Sequence, residues 1–319
     1  SEKQLQTACR ALFNWYLEVH NTEDFTGTET VLEHGLALSP QDAAECILDY
    51  KRTVVFIRAI KQAVEDQLEI HADAPIDILY SGTGPCGTLL IPILHLFSAQ
   101  RIQVTILDIH GPSVDYLTKI IQLLQYEDYI VDRVVSDAIK HEFKDGNKFD
   151  VIINETLYEG LTKEPQVNVT KNLMHYLKED GLFIPQNIAV SAGCAFFAKE
   201  PYVWFNTNDY HVNNPDVVNR PRIHLGPIFA LNKATFSLLS EELKSQKFKL
   251  PETYREYPDI VIFTEVDVYK QYTLRECEST ISNIHGVASI PGSGFFSGAG
   301  YCPPHSGFSI PRKSTVLCW

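Results

Sequence analysis

The sequence predicts an α/β protein in three parts: N-terminal helices, a doubly wound parallel sheet and a β-rich domain. Residues 1–72 place apolar side chains at helical spacing. Residues 73–187 alternate short apolar runs with helical patterns, which is typical of parallel strands joined by helices. Residues 188–319 carry Phe, Tyr, Val and Ile in short runs interrupted by Pro, Asn and Gly, which indicates a β-rich domain.

Two helices are predicted in the first part. Residues 1–19 have an amphipathic pattern. Ser39, a good N-cap, and Pro40, at the first helical position, begin a second helix that continues to residue 69. Its apolar positions recur from Ile47 to Leu68 with a period close to 3.6 residues. We therefore expect this whole part to be helical.

Five short apolar runs in the second part predict buried parallel strands. Three segments with helical spacing separate them and begin at Cys86, Pro112 and Pro165. This alternation predicts a doubly wound sheet. The strand runs are residues 76–80, 102–108, 133–137, 149–154 and 181–185.

The composition is globular and acidic. Hydrophobic residues make up 45% and charged residues 21%, with a formal net charge of −13. We expect no nucleic-acid partner, because nucleic acids are bound through clustered Lys and Arg, whereas an acidic surface suits a cationic substrate.

No apolar stretch reaches the ~18 residues of a membrane helix, and residues 1–19 lack the pattern of a signal peptide. We therefore expect a soluble, cytoplasmic chain.

The cysteines and histidines give no metal signature. The seven cysteines contain no C-x-x-C pair, and an odd number fits free thiols in a reducing compartment. Asp209, His211 and His224 lack the order of the common H-x-D…H facial triad and stand in a loop-like context. No metal site is predicted.

A glycine motif follows the first predicted strand. Gly82, Gly84 and Gly87 have the G-x-G-x-x-G spacing, and the next strand ends at Asp108. In a Rossmann-like sheet such glycines let the backbone pass close to a nucleotide, and such an acid accepts hydrogen bonds from ribose hydroxyls. NAD and S-adenosylmethionine fit both features equally well, so two enzyme classes remain open.

Polar residues also follow the third and fourth strands. Asp137 closes the third strand, where a carboxylate can bind the exocyclic amine of adenine. A carboxylate-rich loop, residues 154–164, follows the fourth strand beside the switch point, where open α/β sheets bind ligands. The flanking residues Ser81, Ile109 and Ala138 complete the predicted cofactor site.

The glycine motif and the acidic loop resemble class I S-adenosylmethionine-dependent methyltransferases, and more narrowly the protein arginine methyltransferases. An N-terminal helix of that family carries the pattern D-x-x-R-T-x-x-Y. The chain matches it at Asp49, Arg52 and Thr53, with Phe56 in place of Tyr. Spacing places Asp49, Arg52 and Phe56 on one helix face. In the family this arginine pairs with the carboxylate of the cofactor's methionine, and the resemblance implies this role for Arg52.

The family's double-glutamate loop has two glutamates nine residues apart after the fourth strand. Glu155 and Glu164 have this spacing, and Glu159 lies between them as an alternative to Glu164. Two carboxylates facing a guanidinium localise its charge and hold one nitrogen in line with a sulfonium methyl. The resemblance implies that Glu155, Glu164 and Glu159 are candidate catalytic residues and that Glu155 also contacts the cofactor.

The resemblance continues into the third part. Residues 265–269 ("EVDVY") are similar to a strand of the family's β-barrel, and residues 307–319 are similar to the family's ending. The resemblance implies a β-barrel-like domain for substrate binding and dimerisation, and hence a homodimer. The aromatic run 196–205 is predicted to lie in the barrel core or at an oligomerisation surface.

The chain departs from the family at three places. Asn154 replaces Ser, Thr156-Leu157 replaces Trp-Met, and Cys318 replaces the histidine before the final Trp. The resemblance implies an S-adenosylmethionine-dependent methyltransferase acting on a guanidino group, free or in a peptide or protein. A small-molecule N- or O-methyltransferase without guanidine specificity, an NAD-dependent oxidoreductase and a catalytically degenerate binding subunit remain alternatives.

Overall fold

A computed structural model describes most of the chain, which forms two five-stranded sheets, two two-stranded sheets and the helices among them. Within the described residues, no helix has the length and apolar character needed to cross a bilayer. Predicted features at residues 205–221 and 290–315, and at Cys318 and Trp319, lie outside the description. The described residues are 1–20, 27–144, 146, 148–204, 222–236, 247–250, 257, 259–289 and 316–317.

The N-terminal part contains a β-hairpin, so the prediction that it is wholly helical is wrong. Its helices are α1 (Glu2–His20), α2 (Pro40–Glu45) and α3 (Tyr50–Ile70), and its hairpin strands are β1 (Thr30–Leu32) and β2 (Gly35–Ala37). The N–H of Leu36 in β2 donates to the carbonyl of Lys163 at 2.9 Å. The hairpin is therefore supported by a backbone contact with a residue far away in the sequence, which no local sequence pattern predicts.

The helix predicted from Ser39 onward is divided at Asp49. Ser39 Oγ caps α2 by accepting the N–H of Asp42 at 3.2 Å, in agreement with the prediction. Asp49 caps α3 by accepting the N–H of Arg52 at 3.1 Å, and residues 46–48 form a single 3₁₀ turn between the two helices. The break arises because an aspartate side chain competes for backbone N–H groups and favours caps over helix interiors.

The second part is a parallel sheet, which confirms the Rossmann-like prediction. Its strands are β3 (Ile76–Ser81), β4 (Ile102–Asp108), β5 (Ile130–Val135), β6 (Phe149–Asn154) and β7 (Leu177–Ile184), with helices α4 (Gly111–Leu124) and α5 (Gln166–Leu173) between them. The strands lie in the order β5-β4-β3-β6-β7. The chain thus changes direction across the sheet between β3 and β6, which makes their carboxyl ends the switch point.

The segment that begins at Cys86 is not the predicted α-helix. It forms turns followed by a 3₁₀ helix over Ile91–Leu96. Pro92 lacks an N–H for helical hydrogen bonding. Leu90, Ile91 and Leu94 are all buried. The apolar pattern of this short segment therefore reflects its general burial and not the single apolar face of a long helix.

The carboxyl part is an antiparallel sheet, which confirms the β-rich prediction, whereas closure into a barrel is not confirmed. Its strands are β8 (Asn187–Ala195), β9 (Ile223–Asn232), β10 (Phe248–Lys249), β11 (Asp259–Tyr269), β12 (Tyr272–Leu274), β13 (His285–Ser289) and β14 (Val316–Leu317). The main sheet has the order β12-β11-β8-β9, with β13 also paired to β11, and β10 pairs separately with β14.

Helix α3 contacts strands of both sheets. Near its end, Asp66 accepts a hydrogen bond from the Tyr269 hydroxyl at 2.5 Å and pairs with Lys270 at 2.5 Å. The small residues Ala59 and Ala63 on its buried face allow close approach. The helix thus fixes its first turn, which carries Arg52, relative to both sheets. The domain boundaries after residues 72 and 187 remain predictions.

Candidate functional site

A cavity of about 410 Å³ lies at the carboxyl ends of β3, β4 and β6, at the switch point of the parallel sheet. This volume is in the range of small-molecule sites. The cavity brings together all the predicted cofactor residues except Gly87. These lining residues are Arg52, Ser81, Gly82, Gly84, Asp108, Ile109, Asp137, Ala138 and Glu155.

Two glycines of the motif have different structural roles. Gly82 has φ of +67°, and a Cβ at this position would stand 2.9 Å from Cγ2 of Thr156, so only glycine fits beside the acidic loop. Gly87 lies outside the cavity lining. A Cβ there would meet Ile91 and Leu117 at 2.6 and 2.8 Å. Gly87 therefore permits close packing against α4, and Gly82 shapes the cavity wall.

Asp108 holds the glycine loop in place. Its Oδ2 accepts the N–H of Gly84 at 2.8 Å, and its Oδ1 accepts the N–H of His110 at 2.9 Å. Burial raises the pKa of Asp108, against the lowering effect of these two backbone donors. Because each carboxylate oxygen has more than one lone pair, Asp108 can still accept a ligand hydroxyl in the cavity.

Arg52 and Glu155 form a buried ion pair in the cavity wall. Their side chains are 10% and 5% exposed, and Nη2 of Arg52 donates to Oε2 of Glu155. Arg52 Nη1 also donates to the carbonyl of Cys46 at 3.3 Å. A guanidinium has five N–H donors, so these two bonds leave capacity for an anionic ligand beside Glu155.

Asp49 braces the first turn of α3 against the carboxyl part. Its Oδ2 accepts hydrogen bonds from Ser279 Oγ at 2.7 Å, from the N–H of Thr280 at 2.7 Å and from Thr280 Oγ1 at 2.8 Å. Thr280 and Ile281 belong to a 3₁₀ turn that also lines the cavity. Sequence reasoning noted Asp49 but missed its partners, because 230 residues separate them along the chain.

The acidic loop presents Glu155 and Glu164 to the cavity, whereas Glu159 lies outside the lining. Buried Glu159 has its Oε1 at 3.2 Å from Nδ1 of His285 in β13. Desolvation by burial raises the pKa of Glu164 to about 8, although Arg52 and Lys163 oppose this shift. Glu164 therefore changes its protonation state near neutral pH.

Gln166 supports the beginning of this loop. The side chain is buried, and its Oε1 accepts Asn154 Nδ2 and the N–H of Thr156, both at 3.0 Å. Its Nε2 donates to the carbonyl of Asn154 at 3.3 Å. Both supported residues are departures from the family pattern, and the amide joins them into one network. No local signal in the sequence distinguishes Gln166 from an ordinary helix residue.

Four aromatic side chains that sequence reasoning did not assign to the site also line the cavity: Tyr80, Tyr158, Tyr202 and Trp204. The Tyr202 and Trp204 rings have centroids 4.8 Å apart and an interplanar angle of 50°. Val203 between them is buried. The part of the aromatic run that was predicted to be core or interface thus contributes two rings to the cavity.

The hairpin forms a further wall of the cavity through Leu32, Leu36 and Ala37. It is held at its ends by the bond from Leu36 to Lys163 and by Thr30 Oγ1 at 3.1 Å from His110 Nε2. Sequence reasoning missed this wall because the hairpin itself was not predicted.

The described residues contain no group of three or more His, Cys, Asp or Glu placed to hold a metal ion. Of the residues weighed for such a site, Asp209 and His211 lie outside the described ranges. His224 lies in β9, with its ring centroid 4.6 Å from that of Phe263. This contact is typical of ring packing on a sheet.

Comparisons with known proteins give likenesses to solved structures alone. No protein-family model matches the chain, and no curated protein matches it. Among solved structures, it is similar to the PRMT1 enzyme–prozyme heterotetrameric complex of Trypanosoma brucei with AdoHcy, at 14% identity and a TM-score of 0.49. The match covers 77% of this chain and 83% of that chain.

Proposed function

We propose that this chain is an S-adenosylmethionine-dependent methyltransferase that methylates a nitrogen of a guanidino group. The main support for this proposal is a single cavity at the switch point of a Rossmann-like sheet. The glycine loop, Arg52 and the carboxylates Glu155 and Glu164 all line it. A nucleotide-binding site by itself explains the glycine loop but not the two carboxylates. A cationic acceptor would explain why both carboxylates line the same cavity.

The cavity residues fit the proposed cofactor. Gly82 and Gly84 line the cavity with φ of +67° and +58°, a backbone conformation that suits a glycine loop beside a nucleotide. Asp108 is positioned to accept ribose hydroxyls, and Arg52 retains N–H donors for a carboxylate. When bound, S-adenosylmethionine supplies a methyl group activated by a sulfonium. Closely spaced cationic and acidic groups suit a ligand that carries both charges.

Glu155 and Glu164 form the proposed acceptor pair. Glu155 already binds a guanidinium, that of Arg52, through Oε2. We expect its Oε1 and the ionised Glu164 carboxylate to hold a second, incoming guanidinium and to orient one nitrogen. Glu159 is not part of the proposed pair, because it is buried against His285 and does not line the cavity. Orientation by fixed carboxylates supplies much of the barrier reduction in such a displacement.

The cofactor assignment is tested by calorimetry with S-adenosylmethionine, S-adenosylhomocysteine and NAD. We expect the first two to bind and NAD not to bind. Asp108→Ala should weaken binding by about 1.5–3 kcal/mol, the scale of hydrogen bonds to a charged group. Exposed Asp132→Asn, in β5, is the matched control and should leave the affinity unchanged. Binding of NAD alone would contradict the assignment.

The acceptor assignment is tested by methyl transfer to arginine, an arginine peptide and a neutral phenol. Glu155→Gln keeps the side-chain shape and removes its charge, so turnover of guanidino acceptors should fall while cofactor affinity changes little. Above about pH 8, where Glu164 is ionised, Glu164→Gln should behave likewise, and Glu159→Gln should affect turnover less. Glu69→Gln, on the exposed surface of α3, is the control. Transfer to the phenol alone would indicate methylation without guanidine recognition.

A further inference from the structure

The proposed function leaves four aromatic residues of the cavity without a role. One of them, Tyr80, is buried, and its hydroxyl accepts the N–H of Leu89 at 3.4 Å. Tyr158, Tyr202 and Trp204 line the same cavity as Glu155 and Glu164. Trp204 is 51% exposed, which is unusual for a large aromatic side chain in the wall of a site. A partly exposed ring at a cavity gains apolar burial only when a ligand covers it.

The backbone that carries the Tyr202–Trp204 pair is held by hydrogen bonds in the structure. Between the two rings, Val203 is held by the fully buried Asn283, whose Oδ1 accepts the N–H of Val203 at 2.9 Å and whose Nδ2 donates to its carbonyl at 3.2 Å. Asn283 directly follows the 3₁₀ turn that Asp49 holds. The backbone clamp therefore presents both rings from a rigid support, which reduces the entropy lost on binding.

Tyr158 offers less to a cationic ligand than the other two rings. Lys163 Nζ lies 4.1 Å from the centroid of the Tyr158 ring and 3.0 Å from its hydroxyl. This face already holds an ammonium group, which repels a second cation. Tyr202 and Trp204 are therefore the aromatic surfaces open to an acceptor.

Charge decides which part of an acceptor meets these rings. A carboxylate binds a guanidinium through charge-assisted hydrogen bonds, which exceed the ~0.5–2 kcal/mol of a cation–π contact. The charged group of an acceptor therefore goes to Glu155 and Glu164, and its remaining body meets the aromatic pair. Aromatic rings favour offset or tilted contacts with flat apolar groups, and the exposed surface of Trp204 beside Tyr202 offers such a contact.

We propose that the acceptor is a small cation on a flat apolar body, of the aryl or arylalkyl guanidine class, and that Trp204 with Tyr202 binds that body. The inference rests on the proposed function for the position of the cation. It makes Trp204 a specificity-determining residue that distinguishes aryl from alkyl guanidines.

The test compares two guanidines that differ in their body. Benzylguanidine and propylguanidine are titrated into the protein with saturating S-adenosylhomocysteine, by calorimetry. We expect benzylguanidine to bind about tenfold more tightly, and Trp204→Ala to reduce this preference to about twofold. Trp204→Phe should retain most of it. Phe197→Ala removes a 38% exposed aromatic outside the cavity lining and should leave the preference unchanged.

Each other outcome has a defined meaning. Equal binding of the two guanidines, no binding of either, or an unchanged preference in Trp204→Ala would overturn the aromatic subsite. A Trp204-dependent change of mass in sedimentation, without a change in preference, would overturn it in favour of a contact between copies. Retained aryl preference without methyl transfer would support the subsite and overturn the proposed methyltransferase function instead.

Discussion

Arg52 in the first turn of α3 is ion-paired with Glu155 immediately after β6, and the pair joins the N-terminal helix to the switch point of the parallel sheet. Both side chains are almost fully buried. Removal of one partner would leave an uncompensated buried charge, at a cost of about 3–5 kcal/mol. The pair therefore links the position of α3 to the chemistry of the cavity.

The first prediction concerns the shape of the Arg52 side chain. Arg52→Lys keeps the charge but loses the planar fork that serves Glu155, Cys46 and a ligand carboxylate together. We expect about tenfold weaker binding of S-adenosylhomocysteine by calorimetry. Arg58→Lys, at an exposed position of the same helix, should bind normally. Normal affinity in Arg52→Ala would show that this arginine does not contact the cofactor.

The second prediction concerns the brace at Asp49. Asp49→Asn keeps the size of the side chain, but its nitrogen cannot accept the hydrogen bonds from Ser279 and Thr280. We expect the free energy of unfolding to fall by about 2–3 kcal/mol, measured by urea denaturation. Asp73→Asn, at an exposed position after α3, should change it by less than about 0.5 kcal/mol. Equal effects of the two substitutions would rule out a special role for the brace.

The third prediction concerns the pH dependence of acceptor binding. Burial raises the pKa of Glu164 from 4.5 to about 8, so below that pH the side chain is protonated and neutral. A guanidinium keeps its charge throughout and needs the carboxylate form. The affinity for propylguanidine should therefore rise with pH, by at most about tenfold per unit, and level off above about pH 8. Glu164→Gln should bind weakly at every pH.

The same pKa shift affects stability in the opposite direction. The folded state holds the Glu164 proton more tightly than the unfolded state, so the stabilisation is complete below the unfolded pKa of 4.5 and is lost as pH rises through about 8. Wild type should lose more unfolding free energy than Glu164→Gln between about pH 6 and pH 9. Parallel pH profiles of the two proteins would contradict the raised pKa.

The fourth prediction separates steric from conformational cost at Gly82. Gly82→Ala places a Cβ 2.9 Å from Thr156 Cγ2 at a φ of +67°, whereas Gly146→Ala has a comparable φ of +89° with nothing within 4 Å. Both substitutions lower the free energy of unfolding because alanine disfavours the left-handed backbone, but only Gly82→Ala also displaces the acidic loop. We expect Gly82→Ala to have the larger loss of stability and to weaken cofactor binding. Equal losses would indicate that Thr156 moves aside freely.

The convergence of the strand-end residues on the cavity was predictable because its signals are local. The apolar runs identify strand ends: Gly82 and Glu155 directly follow β3 and β6, and Asp108 is the last residue of β4. Carboxyl ends of parallel strands meet at one edge of a sheet, so sequence position alone predicts that these residues converge. The cap at Ser39 is also local, since it involves a residue three positions away.

The choice between Glu164 and Glu159, the hairpin wall and the aromatic pair depended on tertiary structure. Glu159 is engaged by His285, which lies 126 residues away along the chain, and Val203 is clamped by Asn283, 80 residues away. By itself, the sequence determined which segments alternate as strands and helices and where strand ends place glycine and acid, because backbone propensity and hydrophobic period act over a few residues. Only the tertiary structure decided which polar side chains are buried with a partner and which face the cavity, because that depends on contacts between segments remote in the chain.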